Sequence, residues 1–120
     1  SKGRRRLRPT TGDRSLADLK EKGYSIHVHH GLAGVNPLDD NVDLEVTFND
    51  GTRYAATFFT LNNLHSLFAK NERTGECKSG LYLWASDMII VKELSEAAIS
   101  ETIADMIAEG EFEGAFSKVT

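Results

Sequence analysis

Val42-Asp43-Leu44-Glu45-Val46-Thr47-Phe48-Asn49-Asp50-Gly51-Thr52-Arg53-Tyr54-Ala55-Ala56-Thr57-Phe58-Phe59 is the stretch on which the fold turns. Val42, Leu44, Val46 and Phe48 alternate with Asp43, Glu45 and Thr47, the period of a strand with one apolar face. The Asp50-Gly51 pair that follows is a strong turn signal, because glycine accepts a positive φ at little cost. Arg53–Phe59 then reads as the return strand, its second half apolar enough to be buried on both faces. Two such runs joined by a two-residue turn pair antiparallel.

The neighbouring segments extend this hairpin. Upstream, Tyr24, Ile26 and Val28 alternate with Ser25, His27 and His29, which predicts another half-buried strand. Gly31, Gly34, Asn36 and Pro37 interrupt it, so residues 31–41 read as a loop. Downstream, Thr60 is placed to cap a helix over Leu61–Asn71, with Leu61, Leu64, Leu67 and Phe68 forming one apolar stripe. The polar, glycine-punctuated residues 72–80 predict a loop. Leu81–Trp84 and Met88–Val91 read as two strands, or as one interrupted near Ala85-Ser86-Asp87. Ser95 is placed to cap a helix with a buried face of Ile99, Ile103, Met106 and Ile107, and Gly110 stops it. A short turn carries Phe112 and Phe116 at helical spacing. Near the start, Ser15 caps a short helix over Leu16–Lys22. The expectation is an α+β fold: a single antiparallel or mixed sheet of four to five strands, with helices packed on one face.

With 120 residues and 13.2 kDa, the chain has one domain's worth of material. Hydrophobic residues at 40% and charged residues at 27% are ordinary globular values and argue against wholesale disorder. No apolar run approaches the ~20 residues a membrane-spanning helix needs, so no membrane partner is expected. The basic residues near the start are followed by no apolar run, so no secretory signal is read there. Cys77 is the single cysteine, which excludes an intrachain disulfide framework; cytoplasmic residence is the expectation.

Charge divides the chain. Residues 1–14 hold six basic residues and one acid, a net +5, and are expected to be a flexible basic arm. The total is −4, which leaves −9 on residues 15–120, expected to be a single globular domain. Arg4, Arg5, Arg6 and Arg8 are the residues that would contact nucleic acid, through phosphate neutralisation. The acidic remainder repels phosphate, so this reading is an alternative only. From Glu93 to Glu113 there are seven acids and no Lys or Arg. Glu101, Asp105 and Glu109 follow one another at i,i+4, with Glu113 next. An unbalanced acidic face of this kind is suited to meeting a basic protein. Tyr82 and Trp84, on one face of the same extended segment, are typical anchors for such an interface.

Other side chains carry chemistry-bearing groups. His27 and His29 point to the same side of a strand, and with Asp39 from the loop they form the alternative of a metal site or small enzyme. No further ligand sits at a diagnostic interval. Asp39, Asp40 and Asp43 lack the spacing of a calcium loop. Cys77 lies near Lys78 and Arg73 without a positioned base, and Ser86-Asp87 lies outside any nucleophile elbow. No catalytic residue and no cofactor is assigned. The expected function is recognition: a protein-binding module of the type of a small bacterial immunity or inhibitor protein, neutralising a basic toxin domain or nuclease through its acidic surface. An unpaired edge strand also offers a route to a homodimer.

Overall fold

The computed structural model describes residues 23–119. The basic arm over 1–14 and the helix expected over Leu16–Lys22 lie outside the described residues. The elements run β1 (Tyr24–Val28), β2 (Asn41–Phe48), β3 (Arg53–Thr60), α1 (Leu61–Thr74), α2 (Glu76–Gly80), β4 (Met88–Val91), α3 (Glu96–Ala108), α4 (Phe112–Ala115) and β5 (Ser117–Lys118).

The five strands form one sheet in the order β1-β2-β3-β4, with β5 also on β3. β1–β2, β2–β3 and β3–β5 are antiparallel, while β3–β4 is parallel, so the sheet is mixed. Val46 faces Tyr54 in the central hairpin and Ile26 on the other side. The turn is slightly longer than a two-residue connection. Phe48 N–H bonds the Thr52 carbonyl at 2.9 Å, leaving Asn49–Gly51 as a three-residue loop with Gly51 at φ 90. The Asp50 carboxylate braces it by accepting from the Thr52 N–H at 2.9 Å.

β3 lends its second edge to two strands. Its C-terminal half takes β4 (Thr57 opposite Met88 through Thr60 opposite Val91), and its N-terminal half takes β5 (Tyr54 opposite Lys118). The parallel partner requires the chain to cross over between β3 and β4, and α1 lies in that crossover.

The alternating pattern decides which face is buried. Leu44, Val46, Ala56 and Phe58 turn inward together and meet Leu94, Ile99 and Ile103 of the α3 region. Phe112 and Phe116 close the core, their rings stacked at 4.1 Å, and Phe112 meets Phe48 edge-on at 5.5 Å. Each fully buried side chain here is worth about 1.5–3 kcal/mol relative to exposure. Ser95 caps α3, its hydroxyl accepting from the Ala98 N–H at 3.0 Å. Thr60 caps α1 in the same way, accepting from the Asn63 N–H at 3.2 Å.

Three expectations need correction. Leu81–Trp84 is not a strand: the segment is irregular between α2 and β4, and Leu81, Tyr82 and Trp84 are exposed. The apolar stripe of α1 does not reach the core. Leu61 stays 70% exposed, and the core draws its helical members from α3 and α4 alone. Residues 75–80, read as a loop, wind into a left-handed turn, with Cys77, Lys78 and Ser79 at φ between 51 and 58 and Gly75 and Gly80 at its ends. Left-handed winding costs non-glycine residues about 1–2 kcal/mol each. The turn is held by Leu81 N–H bonding the Cys77 carbonyl at 3.0 Å.

Candidate functional site

The acidic face is built on α3. Burial of Ile99 and Ile103 against the sheet fixes the rotation of the helix and turns Glu101 and Asp105 outward. Glu109 follows at the helix end, Gly110 breaks the helix at φ 74, and Glu113 lies on α4. Glu93, Glu96, Glu101, Asp105, Glu109, Glu111 and Glu113 are all exposed. The ion pairs among the described residues are His29–Glu45, Arg53–Glu45 and Lys70–Glu76, so none of these seven carboxylates is neutralised by a described cation. Asp105 and Glu109 also sit at the negative end of the helix dipole, where carboxylates are disfavoured. The surface carries concentrated negative charge at a cost of a few tenths of a kcal/mol per like pair.

Glu113 extends the acidic face toward the hairpin. It and Asp50 both act on the Tyr54 phenol, which partial burial first, then the Glu113 and Asp50 charges, hold above its ordinary pKa. The Asp50 carboxyl lies below its ordinary range because the Thr52 backbone N–H and hydroxyl bond its charged form. Sequence reading did not connect Asp50 with Glu113, because Tyr54 joins them only through the β2–β3 turn and the packing of Phe112. The one signal was that a hairpin returns its turn to the end of the sheet.

Tyr82 and Trp84 are exposed at 48% and 69%. They lie on the irregular segment between α2 and β4, and no described hydrogen bond, ion pair or ring contact ties them to the α3 carboxylates. They are a separate surface feature from the acidic helix.

The open face of the sheet carries the histidines. His27 and His29 share this side with ring centroids 5.6 Å apart, and His27 stands opposite Glu45. His29 Nε2 is 3.9 Å from Glu45 Oε2, and Arg53 Nη1 is 3.1 Å from Glu45 Oε1. The carboxylates beside the histidines are therefore Glu45 and Asp43, supplied by β2. Asp39 is turned toward α1 instead, accepting from the Ser66 hydroxyl at 3.4 Å. Among the described residues no three His, Cys, Asp or Glu side chains converge as a metal site. A shallow cleft of about 360 Å³ runs from His29 past Asp43, Glu45 and Thr57 to Ser86 and Asp87. Its acids are engaged locally: Asp43 accepts from the Thr57 hydroxyl at 2.6 Å, Glu45 binds Arg53, and Asp87 accepts from Ser117.

No protein-family model, curated protein or solved structure matches this chain.

Proposed function

We propose that this chain is a protein-binding module without catalytic machinery, docking on a basic protein through the carboxylates of α3 and the turn after it. The observation that carries the reading is the run from Glu93 to Glu113: seven exposed acids, no Lys or Arg, and no ion pair to a described cation. Opposed charge accelerates encounter and selects the partner, while like charges on a wrong partner are rejected. Glu101, Asp105, Glu109 and Glu113 make the electrostatic face, and Tyr82 and Trp84 offer aromatic anchors on a separate surface. A toxin domain or nuclease, whose substrate contact is basic, is the class of partner this face fits, as for a small bacterial immunity or inhibitor protein acting in the cytoplasm.

The test is capture from the source cell on immobilised full-length chain at about 50 mM and about 500 mM salt, since a screened interaction weakens as the Debye length shrinks. The expected catch is a basic protein, held at low salt and absent with Glu101→Gln/Asp105→Gln/Glu109→Gln. A partner retained equally by that variant overturns the reading.

A further inference from the structure

The chain enters the described fold beside the acidic face of α3. Gly23 accepts from the Asn49 N–H at 2.9 Å, which places it at the hairpin end of the sheet. Tyr24, the next residue, turns into the helix-covered side: its ring meets Phe48 at 5.7 Å, and Phe48 meets Phe112 of α4 at 5.5 Å. The segment that precedes Gly23 therefore joins the fold next to α4, where Asp50 and Glu113 both act on Tyr54. From Glu113 the exposed acids lead back through Glu109 and Asp105 to Glu101. Glu101 to Glu109 is about 12 Å of helix.

Charge divides at the same point. Eight of the fourteen Lys and Arg but only three of the eighteen acids precede residue 23, so residues 1–22 carry +5 and residues 23–119 carry −9. Lys118 of β5 places one positive charge near Asp50, yet no described cation pairs with the carboxylates of α3.

We propose that the segment preceding Gly23 docks along the outer face of α3 of its own chain, with Arg4, Arg5, Arg6 and Arg8 against Glu101, Asp105 and Glu109. Guanidinium and carboxylate pair through strong, charge-assisted hydrogen bonds. Cations are also favoured at the C-terminal end of the α3 dipole, where Asp105 and Glu109 lie. Reach permits the contact. Fourteen residues separate Arg8 from Gly23. They span about 21 Å as helix and about 46 Å extended, and either exceeds the acidic length of α3. Covalent attachment holds the segment near the face at an effective concentration on the order of millimolar, so individually weak ion pairs suffice. The contact stands without any partner. Its consequence, that the segment competes with a basic protein for α3, rests on the function proposed above.

Paramagnetic NMR on the full chain tests the contact. In a Cys77→Ser background, Thr10→Cys carries a nitroxide. At about 50 mM salt the label is expected to broaden the amide signals of Glu101, Asp105 and Glu109, and at about 500 mM salt the broadening is lost. Replacing Arg4, Arg5, Arg6 and Arg8 with Gln removes it at low salt as well. Sharp signals at low salt overturn the proposal, as does broadening that the arginine replacement leaves unchanged. Broadening that arises on mixing nitroxide-bearing chain with isotope-labelled chain lacking the nitroxide also overturns it, because the face then takes a neighbour's segment. In the capture experiment the same arginine variant retains severalfold more basic partner at low salt, and equal capture overturns the competition. Absence of any partner counts against the function proposed above and leaves the NMR result to decide the contact.

Discussion

The Ser117 hydroxyl donates a hydrogen bond to the Asp87 carboxylate where β4 and β5 meet end to end along β3. Asp87 holds a positive φ of 56, and its carbonyl accepts from the Thr57 N–H at 3.0 Å. This one residue starts β4, turns the chain and ties down β5. Ser117→Ala is expected to cost about 0.5–1.5 kcal/mol in urea unfolding. Asp87→Ala should cost more, because alanine loses the bond and tolerates the left-handed backbone poorly; Asp87→Asn should sit between wild type and Ala. Equal losses for the Ala and Asn variants would show that the backbone conformation contributes nothing.

The two ends of the left-handed turn are expected to respond differently to a methyl group. At Gly80, φ is 85 and an added Cβ would lie 2.8 Å from Glu72 Cγ and 3.0 Å from the Phe68 carbonyl oxygen. At Gly75, φ is 88 and the space around it is open. Gly75→Ala should cost about 1–2 kcal/mol from backbone conformation alone, and Gly80→Ala clearly more. Thermal unfolding of the two variants side by side checks the order.

On the alkaline side the sensitive group is Tyr54. Its folded pKa lies above the ordinary 10.0, so the protonated phenol favours the folded state. That contribution is present below pH 10 and is lost as pH rises through the folded value. Absorbance titration should show a lagging tyrosine component, and Tyr54→Phe should reduce it. Glu113→Gln should move it back toward 10.0 in part, leaving the larger effect of burial.

Asp105 offers a substitution expected to stabilise the fold while destroying the proposed function. It stands four residues from both Glu101 and Glu109, near the negative end of α3. Asp105→Lys converts two repulsive spacings into attractive ones and should raise stability by a few tenths of a kcal/mol. The same variant should lose the basic partner at low salt. Loss of stability together with binding would mean that the residue serves the fold.

Much of this architecture was legible because its signals are local. The period-2 run from Val42 to Phe48, the Asp50-Gly51 turn and the Ser95 cap each fix a conformation within a few residues; the run and the cap stand as read, and the turn is one residue longer than expected. Leu81–Trp84 is irregular and exposed although its apolar letters fit a strand, because a local pattern does not report whether the core has a place for those side chains. β5 escaped notice for the opposite reason: Ser117-Lys118 has no strand-like sequence and is recruited by the unpaired half of β3. The α1 stripe was visible in the letters, yet its period is the same whether it faces a core or the outside. For the site, the acids were countable along the chain. The nearness of Glu113 and Asp50 to Tyr54 was not, since it depends on packing between elements some sixty residues apart.

The divided edge of β3 has a consequence for synthesis. Tyr54 and Lys118 are 64 positions apart, so a ribosome has translated more than half of this sequence between the two halves of that pairing. Until then the nascent hairpin presents a bare flank of amides and carbonyls to its surroundings, where another polypeptide can add to it. The interval before Ser117 emerges is the period when this chain most needs a chaperone.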